Sequence, residues 1–215
     1  MTTLIAGTLS PFANAAVPDN AIGGDAALKR LMQGNERYVS NKPVQRDFSA
    51  GRVARTKTQK PIVAILSCAD SRVAPELAFD QSLGDVFVVR VAGNIVNDDG
   101  LASLEYAVSF LGVPLVMVLG HSNCGAVDAA IKVLKENIVL PGHLPGLIDA
   151  IKPAVEKARQ SSPEALLPAA IKQNVIHNVE RITGSAPVLA GLTQNKTIKV
   201  VGGIYDLATG RVSLV

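Results

Sequence analysis

Residues 61–67 read Pro-Ile-Val-Ala-Ile-Leu-Ser, an uncharged run of strand length that ends against the polar segment Cys68-Ala69-Asp70-Ser71-Arg72. A continuous apolar run, as opposed to an alternating one, is typical of a parallel strand that is buried on both faces. Two similar runs cover residues 86–91 and 113–119, and helical patterns lie between the three at 75–81 and 100–111. This alternation of strands and helices predicts a parallel sheet with helices on both sides.

The rest of the chain extends the same pattern. Asp25 could cap a helix over 26–39, and another helix should begin near Cys124 and continue to about residue 135. Helical sequence follows from 147 to 182, interrupted by Pro153, Pro163 and Pro168, and 197–204 has the pattern of a strand. A turn at 206–210 and a short antiparallel edge strand at 212–215 end the chain. We therefore predict a three-layer α/β/α fold with a mainly parallel central sheet and a C-terminal antiparallel edge strand.

The composition indicates a single globular domain over residues 19–215. Of the 215 residues, 48% are apolar and 18% charged, which excludes a disordered chain. The 21 Lys and Arg against 18 Asp and Glu form no basic run, and with 4% aromatics and no Trp they argue against a nucleic-acid partner. No apolar stretch reaches the ~18 to 20 residues that a membrane span needs.

The first eighteen residues carry no charge, and Ala13-Asn14-Ala15 has the small-x-small form of a signal-peptide cleavage site. We therefore expect residues 1–18 to be the remnant of an export signal and the protein to be periplasmic or otherwise exported. The alternative is an uncharged N-terminal arm on a cytoplasmic protein.

The residues that carry chemistry follow two of the apolar runs. Cys68, Asp70 and Arg72 come after the first, and His121 and Cys124 come after the third. Ligands of parallel α/β sheets bind beyond the carboxyl ends of the strands. If the chain stays extended past Ser67, residues 68, 70 and 72 point the same way. If Cys124 lies in the first helical turn, it sits about one turn from His121.

Two thiolates and one imidazole suit Zn²⁺ and leave a fourth position for water. Asp70 could fill that position and close the site, or Arg72 could hold the Asp70 carboxylate away from it. The alternatives for the cysteines are a Cys68–Cys124 disulfide, a redox pair, or two thiols buried simply as small apolar groups. The Asp-x-Arg pair could equally be an ordinary ion pair.

The Cys-x-Asp-x-Arg and His-x-x-Cys motifs on successive strand–helix junctions resemble those of the β-class carbonic anhydrases. The similarity extends through GDVFVVRVAGN at 84–94, SLEYAV at 103–108 and VLGH at 118–121, with GNERY at 34–38 upstream. The resemblance implies that Cys68, His121 and Cys124 bind one zinc ion per chain and that Asp70 and Arg72 form the catalytic dyad. The implied reaction is that of a lyase, the reversible hydration of carbon dioxide to bicarbonate and a proton.

The resemblance also implies a substrate pocket and an assembly. Plant-like members shape the carbon dioxide pocket with residues that match Gln59, Phe87 and Tyr106, and a main-chain amide near Gly125 meets the substrate oxygen. The pocket lies at a subunit interface, so a homodimer or a dimer of dimers is expected. In some relatives the aspartate that matches Asp70 takes the fourth zinc position at low pH. The same behaviour here predicts a steep, reversible loss of activity as the pH falls.

Two other functions remain open on the same scaffold. One is a carbonyl sulfide or carbon disulfide hydrolase that would use the same zinc site. The other is a non-catalytic protein in which Asp70 completes a closed structural zinc site.

Overall fold

A five-stranded sheet organises residues 22–215, which are the residues that the computed structural model describes. The expected export signal, with its Ala13-Asn14-Ala15 site, lies outside the described residues and stays a prediction. N-terminal sequencing of the protein from its native source would test it, because cleavage should leave a chain that begins near Ala16.

The sheet is mainly parallel. Its strands are β1 (Val63–Ser67), β2 (Val86–Arg90), β3 (Leu115–His121), β4 (Lys199–Tyr205) and β5 (Val212–Leu214). They lie in the order β2-β1-β3-β4-β5, with the first four parallel and β5 antiparallel to β4. This confirms the predicted sheet and its antiparallel edge strand. Because β1 and β3 are neighbours, the segments that follow them emerge side by side.

The described residues form eight α-helices and two short 3-10 turns. The helices are α1 (Gly24–Val39), α2 (Arg52–Arg55), α3 (Pro75–Ala78), α4 (Asp98–Phe110), α5 (Gly125–Glu136), α6 (Leu144–Ser161), α7 (Leu166–Thr183) and α8 (Val188–Gln194), and the turns cover Ala92–Asn94 and Pro163–Ala165. Within residues 22–215, every helix is too short or too polar to cross a membrane.

Helices cover both faces of the sheet, as the apolar runs predict. Along β1, Val63 and Ile65 point into one apolar cluster while Ala64 and Leu66 point into another, because successive side chains of a strand alternate. The first cluster includes Leu31 of α1, and the second includes residues of α4, α7 and α8. This burial on both faces explains why the strands show no polar alternation.

The start of α1 differs from the prediction. The helix begins at Gly24 with Gly23 as its N-cap, and no side chain within residues 22–215 caps it. A Cβ at Gly24 would lie 2.8 Å from the carbonyl oxygen of Pro114, so this close approach depends on glycine. Asp25 therefore lies inside the first turn, where its carboxylate pairs with Lys199 of β4.

The predicted interruption at Pro168 is wrong, because α7 begins at Leu166 and includes that proline. The predicted interruption at Pro153 is also wrong. Helix α6 continues through this proline, and the break comes only at the 3-10 turn that follows Ser161. Proline removes the hydrogen bond to the carbonyl of Asp149 four residues earlier. Asp149 is exposed, so water can take the place of the missing donor.

A buried carboxylate joins α1 to the end of α3. The Asp80 side chain is 1% exposed and accepts hydrogen bonds from the guanidinium groups of Arg37 and Arg46 and, at 3.2 Å, from the Val44 amide. Burial alone would raise the pKa of Asp80, but the hydrogen bonds from the two arginines outweigh it and lower that pKa. The stabilisation is therefore present above the ordinary carboxyl pKa of about 4 and is lost as the pH falls through the lowered value.

Asp80→Asn should lower the free energy of unfolding at pH 7 by about 3 kcal/mol, because it leaves two guanidinium groups without their counter-charge. Urea denaturation measures this, and the difference from wild type should shrink below about pH 4. Asp85→Asn is the matched control, since it breaks a more exposed pair with Arg30 and should cost no more than about 1 kcal/mol. An equal cost for Asp80→Asn at pH 3 and pH 7 would show that charge is not the cause.

Candidate metal and active site

Three metal-binding side chains meet where β1 and β3 end. Cys68 follows β1 directly, His121 is the last residue of β3, and Cys124 is the N-cap of α5. Their ligand atoms, two Sγ and one imidazole nitrogen, all lie within 4.8 Å of one another, and all three residues are buried. The register that pairs Ser67 with Leu119 places Cys68 beside the end of β3.

The local path of the chain differs from both sequence-based expectations. After β1 the Val73 amide donates to the Asp70 carbonyl at 3.1 Å, so the chain turns and Arg72 folds back onto Asp70 instead of continuing the alternation of an extended strand. Cys124 has an extended backbone and lies one residue before α5, outside its first turn. Asn123, with φ of 53°, reverses the chain between His121 and Cys124.

The two cysteines form no disulfide with each other. The neighbouring Cys124 thiol lowers the pKa of Cys68 to about 4, and the amide of Gly93, whose nitrogen is 3.2 Å from Cys68 Sγ, acts in the same direction. Cys68 in turn raises the pKa of Cys124. Cysteine binds a metal as the thiolate, so a bound cation would displace any proton that the two sulfurs hold.

The donor atoms fit a zinc ion. His121 Nδ1 lies 2.9 Å from the Ser122 carbonyl, which can only accept, so Nδ1 carries a hydrogen and, in the neutral ring that binds metal, Nε2 has the lone pair. Nε2 is buried and has no hydrogen-bond partner among the described residues. An orphaned imidazole nitrogen beside two thiol sulfurs, oriented by a carbonyl behind it, is the ligand set that Zn²⁺ prefers.

Asp70 lies beside these three residues and is held by Arg72. Its Oδ1 accepts from Arg72 Nε and from the Arg72 amide, both at 2.9 Å, and its Oδ2 accepts from Nη2 at 2.7 Å. The same Oδ2 lies 3.7 Å from His121 Nε2. The hydrogen bonds from Arg72 hold the pKa of Asp70 well below its usual range, so the carboxylate stays ionised. The structure thus brings together all five residues of the two motifs.

Arg90 is a contributor that sequence reasoning missed. Its Nε donates to the Cys68 carbonyl at 3.2 Å, and its Nη2 donates to the carbonyls of Asp70 and Val73 at 2.7 and 2.9 Å. One guanidinium therefore fixes the loop that carries Cys68, Asp70 and Arg72. The available signal was a single charge at the end of the apolar run Val-Phe-Val-Val-Arg, on the strand next to β1.

Two of the predicted pocket residues belong to one aromatic group, and Gln59 lies at the opposite end of β1 from Cys68. The rings of Phe87 and Tyr106 are 6.3 Å apart, and Tyr106 stacks on Phe110 at 5.4 Å. Gln59 is exposed before β1, whose five residues separate it from Cys68 by roughly 17 Å of strand. The structure does not bring Gln59 to the cluster of the same chain.

Gly125, the fourth predicted substrate residue, opens α5 directly after Cys124. It is exposed, and a Cβ built there would have no neighbour within 4 Å in the described part of the chain. As a first-turn residue its amide has no partner within the helix, so it can donate to a small ligand beside the cluster. The substrate role of Gly125 stays a prediction.

Similarity to known proteins agrees with this geometry. A family profile described as "Carbonic anhydrase" matches residues 63–212. The chain is 40% identical over 193 residues to a carbonic anhydrase of Mycolicibacterium smegmatis, covering 88% of this chain and 92% of the relative. It is 37% identical over 191 residues to carbonic anhydrase 2 of Mycobacterium tuberculosis, covering 88% and 91%.

Solved structures show the same relationship. The Coccomyxa β-carbonic anhydrase in complex with acetazolamide superposes with a TM-score of 0.68 at 27% identity, over 87% of this chain and 86% of the other. The β-carbonic anhydrase CcaA gives a TM-score of 0.67 at 26% identity, over 87% and 94%. With its Cys-His-Cys cluster and this similarity along most of its length, the chain belongs to the β class of the carbonic anhydrase family.

Proposed function

We propose that this chain catalyses the zinc-dependent, reversible hydration of carbon dioxide to bicarbonate and a proton, with one zinc ion per chain bound by Cys68, His121 and Cys124. Membership of the family supports the reaction. The single observation that carries the proposal is the buried cluster of two sulfurs and one unpartnered imidazole nitrogen, with an ionised Asp70 beside it.

The ligand set determines what the ion contributes. Zinc bound there would lower the pKa of a coordinated water toward ~7 and so supply hydroxide near neutral pH. Cys68 and Cys124 bring two negative charges that offset the charge of the ion, so we expect a higher pH optimum than a three-histidine site would give.

Asp70 acts as a fixed hydrogen-bond acceptor. Its low pKa keeps it from donating a proton, and its Oδ2 lies close enough to His121 to accept a hydrogen bond from a nucleophile beside the three ligands. The guanidinium and the main-chain amide of Arg72 fix the plane of the Asp70 carboxylate. By accepting a hydrogen bond in this orientation, Asp70 directs a lone pair of the nucleophile at carbon dioxide. The product proton then passes to buffer.

A second copy of the chain completes the pocket in this proposal. Tyr106 and Phe110 are 46% and 58% exposed, and the stacked rings form an apolar surface with Phe87 at its edge. Aromatic residues of this kind are enriched at protein interfaces. Gln59, Phe87 and Tyr106 would then serve the metal site of the partner.

Phe110→Glu should therefore shift the dimer toward monomer and lower activity while zinc is retained, because a charge on this surface opposes association. Light scattering and zinc analysis measure the two effects. Val139→Glu, at a residue 93% exposed after α5, is the matched control and should change neither. A fully active wild-type monomer at nanomolar concentration would refute the shared pocket.

The experiment that tests the reaction is a stopped-flow assay of proton release on mixing the zinc-loaded protein with carbon dioxide. We expect release far above the uncatalysed rate. Stoichiometric zinc with only the uncatalysed rate would instead identify a structural zinc protein, and turnover of carbonyl sulfide alone would identify a hydrolase. Rapid reaction of both thiols with a thiol reagent in the zinc-loaded protein would favour the redox pair.

A further inference from the structure

Cys68 Sγ accepts a hydrogen bond from one main-chain amide whose position is tightly constrained. The donor is Gly93, in the turn Ala92–Asn94 that follows β2, and the N···S distance is 3.2 Å. Gly93 has φ of 70°, and a Cβ there would lie 2.7 Å from Ile151 Cδ1. The amide can reach the sulfur only while this turn keeps its left-handed conformation against α6.

Two buried asparagines of α7 hold that turn. Asn174 Nδ2 donates to the Gly93 carbonyl at 2.7 Å, which fixes the residue that contacts Cys68. Asn178 Oδ1 accepts from the Val96 amide at 2.8 Å, just beyond the turn, and its Nδ2 donates to the Asn174 carbonyl at 2.8 Å. Asn174 is 0% exposed and Asn178 1%, so water does not compete for these groups.

Helix α7 is itself held firmly against the sheet. A Cβ at Gly120, next to His121, would lie 2.6 Å from Val175 Cγ2, and one at Gly202 of β4 would lie 2.7 Å from Val175 Cγ1. The helix backbone that carries Asn174 thus has a fixed distance from β3. A buried side-chain amide is stable only when it has hydrogen-bond partners of defined geometry. Asn174 and Asn178 therefore fix the position of the turn, whereas apolar side chains at these positions would only fill the space.

We propose that Asn174 and Asn178 are positioning residues that hold the Gly93 amide on Cys68 Sγ and so set the affinity and geometry with which this thiolate binds metal. This deepens the proposed function and rests on the zinc site described there. An amide hydrogen bond to a thiolate stabilises its charge and directs its lone pairs, and partners of this kind behind a metal ligand change metal affinity about 10- to 100-fold.

The test compares Asn174→Ala with Asn35→Ala. Asn35 is also a buried helical asparagine, and it donates to the Ala78 and Gly210 carbonyls at 2.9 and 2.8 Å and accepts from the Val212 amide at 2.8 Å, away from the cluster. Three quantities are measured for each: zinc affinity by competition with a chromophoric chelator, the sulfur-to-metal charge-transfer band of the cobalt-substituted protein, and the free energy of unfolding.

Asn174→Ala should weaken zinc binding about tenfold or more and shift the charge-transfer band. Asn178→Ala should also weaken zinc binding and shift the band, but to a smaller extent, because Asn178 contacts Val96 and Asn174 and not Gly93 itself. Asn35→Ala should lower the free energy of unfolding but leave zinc affinity within about twofold of wild type and the band unchanged. If Asn174→Ala fails to fold, Asn178→Ala decides by the same two readouts.

Wild-type zinc affinity and an unshifted band in Asn174→Ala would overturn the positioning role alone, provided that the wild-type chain binds zinc and hydrates carbon dioxide. The positioning role would also be overturned if both Asn174→Ala and Asn35→Ala lost zinc affinity in the same proportion to their loss of unfolding free energy. A wild-type chain that binds no zinc would overturn the proposed function, and with it this inference.

Discussion

Cys124→Ala should abolish carbon dioxide hydration and zinc retention together. Cys124 supplies one of three ligand atoms within 4.8 Å of one another, and removing it leaves one sulfur and one nitrogen, too few to retain a catalytic ion. Zinc per chain should fall from about one to near zero, and stopped-flow proton release should fall to the uncatalysed rate. His121→Ala should have the same two effects.

The control for this prediction is His177→Ala. His177 lies on α7, outside the cluster, and burial lowers its pKa. Its loss should leave zinc content and rate near those of wild type. Full zinc occupancy with ordinary activity in Cys124→Ala would contradict the ligand assignment.

Arg72→Ala should inactivate the enzyme while the zinc stays bound. Asp70 would lose both side-chain hydrogen bonds from Arg72, and its carboxylate, already 3.7 Å from His121 Nε2, would be free to approach the metal ligands and close the site. We expect kcat/KM to fall roughly 100-fold or more over the whole pH range, the size of effect that loss of a positioned proton acceptor produces. Stopped-flow assays with zinc analysis on the same samples measure both quantities.

Arg30→Ala is the matched control, since Arg30 of α1 pairs with Asp85 at 2.8 Å and donates to Gln81, both outside the two motifs. It should change neither rate nor zinc content. Near-normal activity in Arg72→Ala would refute the dyad. Loss of zinc would instead show that Arg72 mainly holds the site together.

Much of the site could be predicted because metal-binding residues stand at the ends of the strands in the sequence. Cys68 and His121 stand at the ends of two buried apolar runs, and parallel strands end at the same edge of a sheet. The strand order then makes the two ends adjacent. Burial of the sheet on both faces gave the continuous apolar runs that identified these strands, and the two motifs supplied the remaining ligands.

The parts that could not be predicted depend on how distant elements are placed. Asn174 and Gly93 are 81 residues apart, and their contact depends on where α7 crosses the sheet, which no local pattern reports. The turn after Asp70 similarly depends on Arg90 of the neighbouring strand β2, which donates hydrogen bonds to three carbonyls of that loop. Gln59 could be assigned to the pocket by motif alone, but its distance from Cys68 along β1 appears only in the fold.

The most direct test of the central claim is a titration of carbon dioxide hydration against bound zinc. Zinc is removed with a chelator and returned in steps, and the initial rate is measured at each step together with zinc per chain. Our account predicts no activity in the zinc-free chain and a linear rise that ends at one zinc per chain. Hydration by the zinc-free chain, or activity that does not follow zinc bound at this site, would contradict it.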